Sequence, residues 1–414
     1  MTTAGSSTAL KAMMIDLSGK NVERAVDAII NHVVKMQASD LFISVDDEYV
    51  AVHARALGIV HQVCIVSQEE GKRYVAHIKA VADMDVAERR KPQDGRWIFR
   101  TEDEDVVDLR LNMIPTMYGE DLALRLLARE GDRTEVEMLG LLHDQYNEVC
   151  AMLESPSGMI LCTGPTGSGK TTTLYSCLRR LHDGKRKINT IEDPIEYAVE
   201  GMHQSQINSV IGVGFSELLR AVLRQGPDVI MIGEIRDSET AEIAVRAANS
   251  GHLVFATVHA SVAAGALQSL RAFGVHGHFL SSALRGVLSQ RLVRTLCDKC
   301  KIAVDLDNAP HTFDQVRKWL GPNEGKVLYA PKGCENCNFQ GYDNRAGVFE
   351  LMSMSAELRR MISQDRPTRE IRHKAIEQGM LEFRHTALLK VARGETSTEE
   401  IFRVIPTEHL MADD

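Results

Sequence analysis

The sequence predicts an α/β protein in two main parts, and three observations carry that prediction. A helical and then alternating hydrophobic pattern runs from Asn21 to about residue 130. Short apolar strands then alternate with helical segments beyond residue 158. Two Cys-x-x-Cys pairs follow, with short helices after them. Strands that each lead into a helix argue for a parallel sheet covered on both faces.

Residues 1–20 carry no strong pattern and are expected to be flexible. From Asn21, VERAVDAIINHVVKMQ places Val22, Val26, Ile29, Val33 and Met36 on one helical face. The alternation in DLFISVDDEYVAVHARALGIV reads as strands. A polar stretch KPQDGR, a strand around Trp97 to Phe99, an acidic turn at Thr101 to Asp105 and VVDLRLNMIPTMYGEDLALRLL complete a small sheet punctuated by Gly and Pro. The expected divisions are a sheet domain at 21–130, a linker at 131–138 and a core at 139–295. A cysteine-bearing subdomain at 296–348 and a helical region at 349–414 complete the chain.

The chain has 414 residues, 44% hydrophobic and 25% charged, which suits two or three globular domains. No run approaches the roughly 18 apolar residues of a membrane span, and MTTAGSSTALKAMMIDLSGK lacks the order of a signal peptide, so a cytoplasmic location is expected. With 57 acidic and 48 basic side chains the net charge is -9, and aromatics are 5%. That composition offers neither the basic footprint nor the stacking platforms of a nucleic-acid translocase, the competing class for a chain of this pattern, and no nucleic-acid partner is expected.

Gly164-Pro165-Thr166-Gly167-Ser168-Gly169-Lys170-Thr171, followed by Thr172, satisfies G-x-x-x-x-G-K-[ST]. It follows the apolar strand Met159 to Cys162 and opens a helix, the context that motif requires. Glycines let backbone N–H groups turn inward around phosphate, and the helix N-terminus adds positive potential. Lys170 reaches the β- and γ-phosphates, and Thr171 ligates Mg²⁺. A nucleoside triphosphate is the expected ligand.

In DVIMIGEIRD the strand ends at Gly233-Glu234, which puts a carboxylate at the edge where parallel sheets bind ligands, able to polarise an attacking water. Glu192 and Asp193 in TIEDPIE likewise follow a short β-branched strand, with helix or loop capping as the alternative role. His252 and His259 bracket the strand in GHLVFATVHA, and His259, at its end, is the candidate for facing the nucleotide. Cys297-x-x-Cys300 and Cys334-x-x-Cys337 suit tetrahedral structural Zn²⁺. The metal would close a loop, DLDNAPHTFDQVRKWLGPNEGKV, that reads as poor in apolar content. Cys64, Cys150, Cys162 and Cys177 are scattered and read as buried apolar residues.

The ordered set GPTGSGKTTT, TIEDPIE, DVIMIGEIRD, GHLVFATVHA and QRLVRTLCDKC resembles the type II secretion and type IV pilus ATPases, with ASDLFIS, PQDGR, PTMYGE, GCENC and GYDNRAGVFE adding to it. The resemblance implies a PAS-like sheet domain, a RecA-like P-loop ATPase core, a four-cysteine zinc-binding subdomain and C-terminal helices. It implies an ATP-hydrolysing homo-hexamer, peripheral at the inner face of the cytoplasmic membrane, that works on an inner-membrane platform protein in pilus assembly or secretion. Pilus retraction is the variant reading, although retraction members generally lack the cysteines. Catalytic roles are implied for Lys170, Glu192, Glu234 and His259, for Arg110 and Arg125 as cations acting on the phosphoryl group, and for Arg220 and Arg224 near the nucleotide or a neighbouring subunit. The sequence departs from the family at ARALG, where an acidic residue usually precedes the glycine. Docking through the large extra N-terminal domain of many members is not expected.

Overall fold

The computed structural model describes residues 14–128, 134–306, 309 and 311–410. The expected flexible segment therefore lies, up to residue 13, outside the described residues, as do 131–133 of the expected linker. The chain forms two compact units. One is Met1–Asp132 with Leu296–Ile302 and Pro331–Asn344, and the other is Arg133–Thr295 with Ala303–Ala330 and Arg345–Asp414.

In the first unit, α1 (Val22–Lys35) begins where the Asn21 side chain accepts the Arg24 N–H, and α2 (Gln68–Val81) begins at a reciprocal Ser67/Glu70 capping box. The strands are β1 (Ala38–Val45), β2 (Tyr49–Ala56), β3 (Ile59–Ser67), β4 (Gln93–Arg100), β5 (Val106–Pro115) and β6 (Glu120–Ala128). They form one antiparallel sheet in the order β3-β2-β1-β6-β5-β4. Val26, Ile29 and Val33 of α1 bury against alternate strand residues such as Leu41, Ile43, Leu109, Leu111, Leu122 and Leu124. The period-2 pattern thus becomes a one-sided core. β4 starts four residues before the expected Trp97, because Gln93 to Arg96 pair fully with β5 despite their polarity. Leu57 and Gly58 turn the β2–β3 hairpin with φ of 49° and 80°.

The second unit contains α3 (His143–Leu153), β7 (Gly158–Thr163), α4 (Lys170–Leu181), β8 (Ile188–Glu192), β9 (His203–Gln206), α5 (Phe215–Leu223) and β10 (Val229–Ile232). It continues with α6 (Ser238–Asn249), β11 (Leu253–Val258), α7 (Gly265–Ala272), α8 (Gly277–Ala283), β12 (Leu284–Leu296), β13 (Ile302–Asp305), β14 (Val327–Ala330) and β15 (Tyr342–Ser353), of which the strand ends Leu296, Ile302 and residues 342–344 count with the first unit. Helices α9 (Ala356–Ser363), α10 (Thr368–Glu377), α11 (Phe383–Ala392) and α12 (Thr398–Val404) follow. Seven strands lie in the order β15-β12-β7-β11-β10-β8-β9, and β12, β7, β11, β10, β8 and β9 run parallel. Every residue of β7, β8, β10 and β11 is buried. Met159 and Leu161 face one core with α5 to α8, whereas Ile160 and Cys162 face the other with α4. A doubly covered parallel sheet explains why these strands read as unbroken apolar runs.

The segment between the two cysteine pairs is less polar in effect than its composition implies. Phe313 and Val316 are buried with Val293, Val348, Phe383 and Ala387, so that stretch belongs to the core beneath α11. Among the described residues no helix is long and apolar enough to cross a membrane.

Candidate functional site

β7 ends at Thr163, and the next residues turn under steric constraint. Gly164 has φ of 145°, and a Cβ there would sit 2.5 Å from the Gln290 carbonyl oxygen and 2.7 Å from Ser168 Oγ. Only glycine fits that approach. Gly169, φ 85°, is the N-cap of α4, so Lys170, Thr171 and Thr172 occupy its first turn with their N–H groups free of helical partners. Lys170 Nζ donates to the carbonyls of Gly164 (2.9 Å) and Pro165 (3.0 Å), and burial lowers its pKa. The ammonium is thereby curled over the loop it opens from. Ser168 Oγ is buried without a hydrogen-bond partner. A phosphate-sized anion suits an ammonium beside a helix N-terminus whose first N–H groups lack helical partners.

Three strand ends converge beside this loop. Glu234 follows β10, and its carboxylate, 18% exposed, accepts from Arg236 and lies 3.4 Å from His259 Nε2. Burial pushes the Glu234 carboxyl up, but the hydrogen bond and charge of Arg236, with those of His259, outweigh it, so its pKa falls below the ordinary value. Arg236 also reaches Asp193 at 3.1 Å and so ties the ends of β8 and β10. Gly233 N–H donates to the Ile191 carbonyl at 2.8 Å, and Thr257 Oγ1 to the Gly233 carbonyl at 2.5 Å. Glu234 is therefore an ionised carboxylate with a fixed orientation, suited to accept a proton from, or orient, a water.

Glu192 is placed differently from the solvent-edge carboxylate that its position after a strand suggests. It is 2% exposed and accepts from the Tyr175 hydroxyl, from Thr190 Oγ1 (2.5 Å) and from Gln204 Nε2 (3.1 Å). The carboxylate accepts from donors on α4, β8 and β9, so it knits three elements together. Arg220 ion-pairs with Glu239 at the start of α6, and Arg224 caps the C-terminal end of α5. Among the described residues neither pairs with the phosphate loop, Glu234 or His259. His252 is turned away, its Nδ1 against the Ala247 carbonyl at 3.0 Å.

In the first unit Arg110 and Arg125 stand directly opposite each other on β5 and β6. The same row runs from Arg96 on β4, across both, to Asp40 on β1 and Arg55 on β2. Arg125 lies 3.3 Å and Arg55 3.5 Å from the Asp40 carboxylate, and Arg96 pairs with Asp108 through two bonds of 2.9 and 2.7 Å. Four guanidinium groups in one transverse row concentrate positive charge on that sheet face.

The sulfurs of Cys297, Cys300, Cys334 and Cys337 all lie within 4.8 Å of one another, with pairs at 3.8, 3.9 and 4.0 Å. Four thiolates at about 2.3 Å from a tetrahedral zinc would be about 3.8 Å apart. Backbone N–H groups already point at the sulfurs: Gly333 to Cys300 (3.3 Å), and Cys334 (3.3 Å) and Gly341 (3.2 Å) to Cys337. Such donors offset thiolate charge around a metal. No disulfide joins any of the eight cysteines, and Cys64, Cys162 and Cys177 are buried, whereas Cys150, expected to be buried with them, is only half-buried.

The model of the family described as "Type II/IV secretion system protein" matches residues 17–403. The type II secretion system protein E of Dickeya dadantii (strain 3937) is 39% identical over 93% of this chain and 76% of its own length. The chain belongs to the type II/IV secretion system protein family. It is an ATPase. The type IV pilus assembly ATPase PilB of Pseudomonas aeruginosa is 38% identical, covering 92% of this chain and 67% of that protein. Among solved structures, the Legionella pneumophila ATPase DotB superposes with a TM-score of 0.69 at 20% identity over 94% of this chain and 97% of that one. The pilus retraction motor PilT with bound ADP superposes with a TM-score of 0.59 at 23% identity over 91% and 96%. These two likenesses show a shared RecA-like fold.

The motifs of this secretion-family ATPase did not point to Tyr175, Arg236, Gln290 or Arg291 as parts of the site. Arg236 was within reach as the basic residue two positions after Glu234. The others depend on which strands become neighbours.

Proposed function

We propose that this ATPase hydrolyses Mg-ATP to drive pilus assembly or type II secretion, as a homo-hexamer held at the inner face of the cytoplasmic membrane by a platform protein. The observation that carries the reading is the convergence of the phosphate loop, Lys170 and the Arg236–Glu234–His259 cluster at neighbouring strand ends. The curated relatives named above, secretion and pilus-assembly proteins, support the choice of machine. The four-cysteine cluster favours assembly or secretion over retraction.

In this reading Gly164 to Thr172 cradle the phosphates, with Lys170 on the β- and γ-phosphates and Thr171 as the Mg²⁺ ligand. Glu234 orients the attacking water, and His259 holds that carboxylate from the other side. Glu192 acts by fixing β8, β9 and α4. Arg110 and Arg125 supply further positive charge as the γ-phosphoryl group leaves, and Arg220 and Arg224 act where subunits of the ring adjoin. Zn²⁺ held by Cys297, Cys300, Cys334 and Cys337 is structural, because four thiolates leave no open position.

Two variants test the site. Lys170→Ala should lose nucleotide affinity and turnover, whereas Glu234→Gln should keep nucleotide affinity and lose turnover by roughly 100-fold or more. Phosphate release by Glu234→Gln at the wild-type rate would remove Glu234 from the chemistry.

A further inference from the structure

Consecutive residues of an extended strand point to opposite faces, and β12 uses this just beyond the end of β7. Gln290 turns to the phosphate loop: its Nε2 donates to the Ser168 carbonyl at 2.6 Å, while its Oε1 accepts from the Cys162 thiol at 3.2 Å. Arg291 turns the other way. Its Nη2 donates to the Ser261 carbonyl at 2.9 Å and its Nη1 to the Gln290 carbonyl at 3.1 Å. One dipeptide therefore grips both the phosphate loop and the segment that follows His259.

That segment is held at nearly every residue. Ser269 Oγ donates to the His259 carbonyl (2.9 Å), Thr163 Oγ1 to the Ala260 carbonyl (2.9 Å), and Ser289 Oγ to the Ser261 carbonyl (3.4 Å). The Ala263 N–H donates to Glu350 Oε1 at 2.8 Å. Glu350 is fully buried on β15, and its second oxygen, Oε2, has no hydrogen-bond partner. Burial pushes its pKa up to about 7, against the Ala263 N–H and the charges of Arg372 and Arg291, with Glu382 adding to the rise. Arg291 is 5% exposed and stacks over the Phe383 ring at 5.1 Å. A guanidinium and a carboxylate buried this deeply cost more than an apolar pair of the same volume, so packing alone gives no reason for them here.

We infer that Arg291, backed by Glu350, is a positioning residue of the ATPase site. By clamping Ser261 and Ala263 the pair keeps His259 in register with the phosphate loop and hence against Glu234. The inference rests on the reading that Glu234 and His259 serve the reacting phosphate. Displacement of a positioned group by about an ångström suffices for a large loss of rate.

The test is a double-mutant cycle in the full chain, read as kcat for ATP and as affinity for a fluorescent ATP analogue. Arg291→Lys keeps the buried positive charge but not the fork that spans two carbonyls. It should lower kcat at least about tenfold with affinity within about twofold, and in a His259→Ala background it should lower kcat less than about twofold further. A wild-type kcat, an equal loss on both backgrounds, or loss of nucleotide affinity together with kcat would each overturn the inference. If Arg291→Lys fails to fold, Glu350→Gln takes its place. It keeps an oxygen for the Ala263 N–H, removes the ionisable carboxyl whose field acts on Arg291, and must show the same dependence on His259. Glu234→Gln separates the two levels. Full turnover in that variant refutes the site reading and the inference with it, whereas an inactive Glu234→Gln beside a fully active Arg291→Lys refutes the inference alone.

Discussion

Replacing Tyr175 with Phe removes one oxygen from a buried polar cluster around Glu192. The Tyr175 ring is fully buried and packs edge-on against Tyr197 at 4.9 Å, contacts that phenylalanine keeps. Its hydroxyl donates to Glu192 Oε2 and accepts from Gln204 Nε2 at 3.2 Å. Burial and the Glu192 charge raise the hydroxyl's pKa, so it stays a donor throughout the working range. Gln204 loses little, because it also donates to Glu192 Oε1 and to the Tyr197 carbonyl, each at 3.1 Å. The cost falls on Glu192, left with a buried carboxylate oxygen lacking its donor. A hydrogen bond to a charged group contributes about 1.5–3 kcal/mol, which for a unit of this size lowers Tm by roughly 3–6 °C. Scanning calorimetry beside steady-state phosphate release should show that drop, with turnover reduced far less than in Glu234→Gln. An unchanged Tm would mean that the hydroxyl does not hold Glu192. An unchanged Tm with turnover abolished would place Glu192 and Tyr175 in the chemistry itself and refute the structural role argued for them.

Metal analysis of the purified protein should find about one zinc per chain, and Cys297→Ser with Cys300→Ser should abolish it while nucleotide affinity is retained. Substitution with cobalt should give the absorption bands of a tetrahedral thiolate site, and their absence would reject the four-sulfur assignment. Arg110→Ala and Arg125→Ala should each lower turnover by roughly a thousandfold with modest loss of ATP affinity, which a nucleotide-binding titration run beside the ATPase assay checks. Leu57 holds a left-handed φ of 49° that costs a branched aliphatic residue about 1 kcal/mol, so Leu57→Asn should raise the melting temperature of the sheet unit; a lower one would show that the leucine side chain contributes more by packing than its backbone loses.

What the sequence made legible was local. GPTGSGKT announces its own backbone path, because glycines at 164, 167 and 169 and the lysine opening α4 are all set within a few residues of one another. Glu234 was readable because an apolar run ending in Gly-Glu marks a strand end whatever its neighbours are. Glu192 reads as a strand-end carboxylate in the same way, yet it is the buried last residue of β8, held by Tyr175 and Gln204, which reach it only once α4 and β9 have packed around β8. Gln290 and Arg291 lie in plain view within QRLVRTLCDKC, where no local pattern assigns either a role. Their hold on the phosphate loop and on the segment after His259 exists because β12 comes to lie beside β7, more than a hundred residues earlier in the chain. The arginine row follows the same logic. Arg125 meets Asp40 only because β6 inserts between β1 and β5, a sheet order that periodicity cannot reveal. Residues that hold an active site in place are therefore hidden in proportion to the sequence distance their contacts span, and the groups that bind phosphate are not, since the loop that binds it is a property of one short stretch of chain.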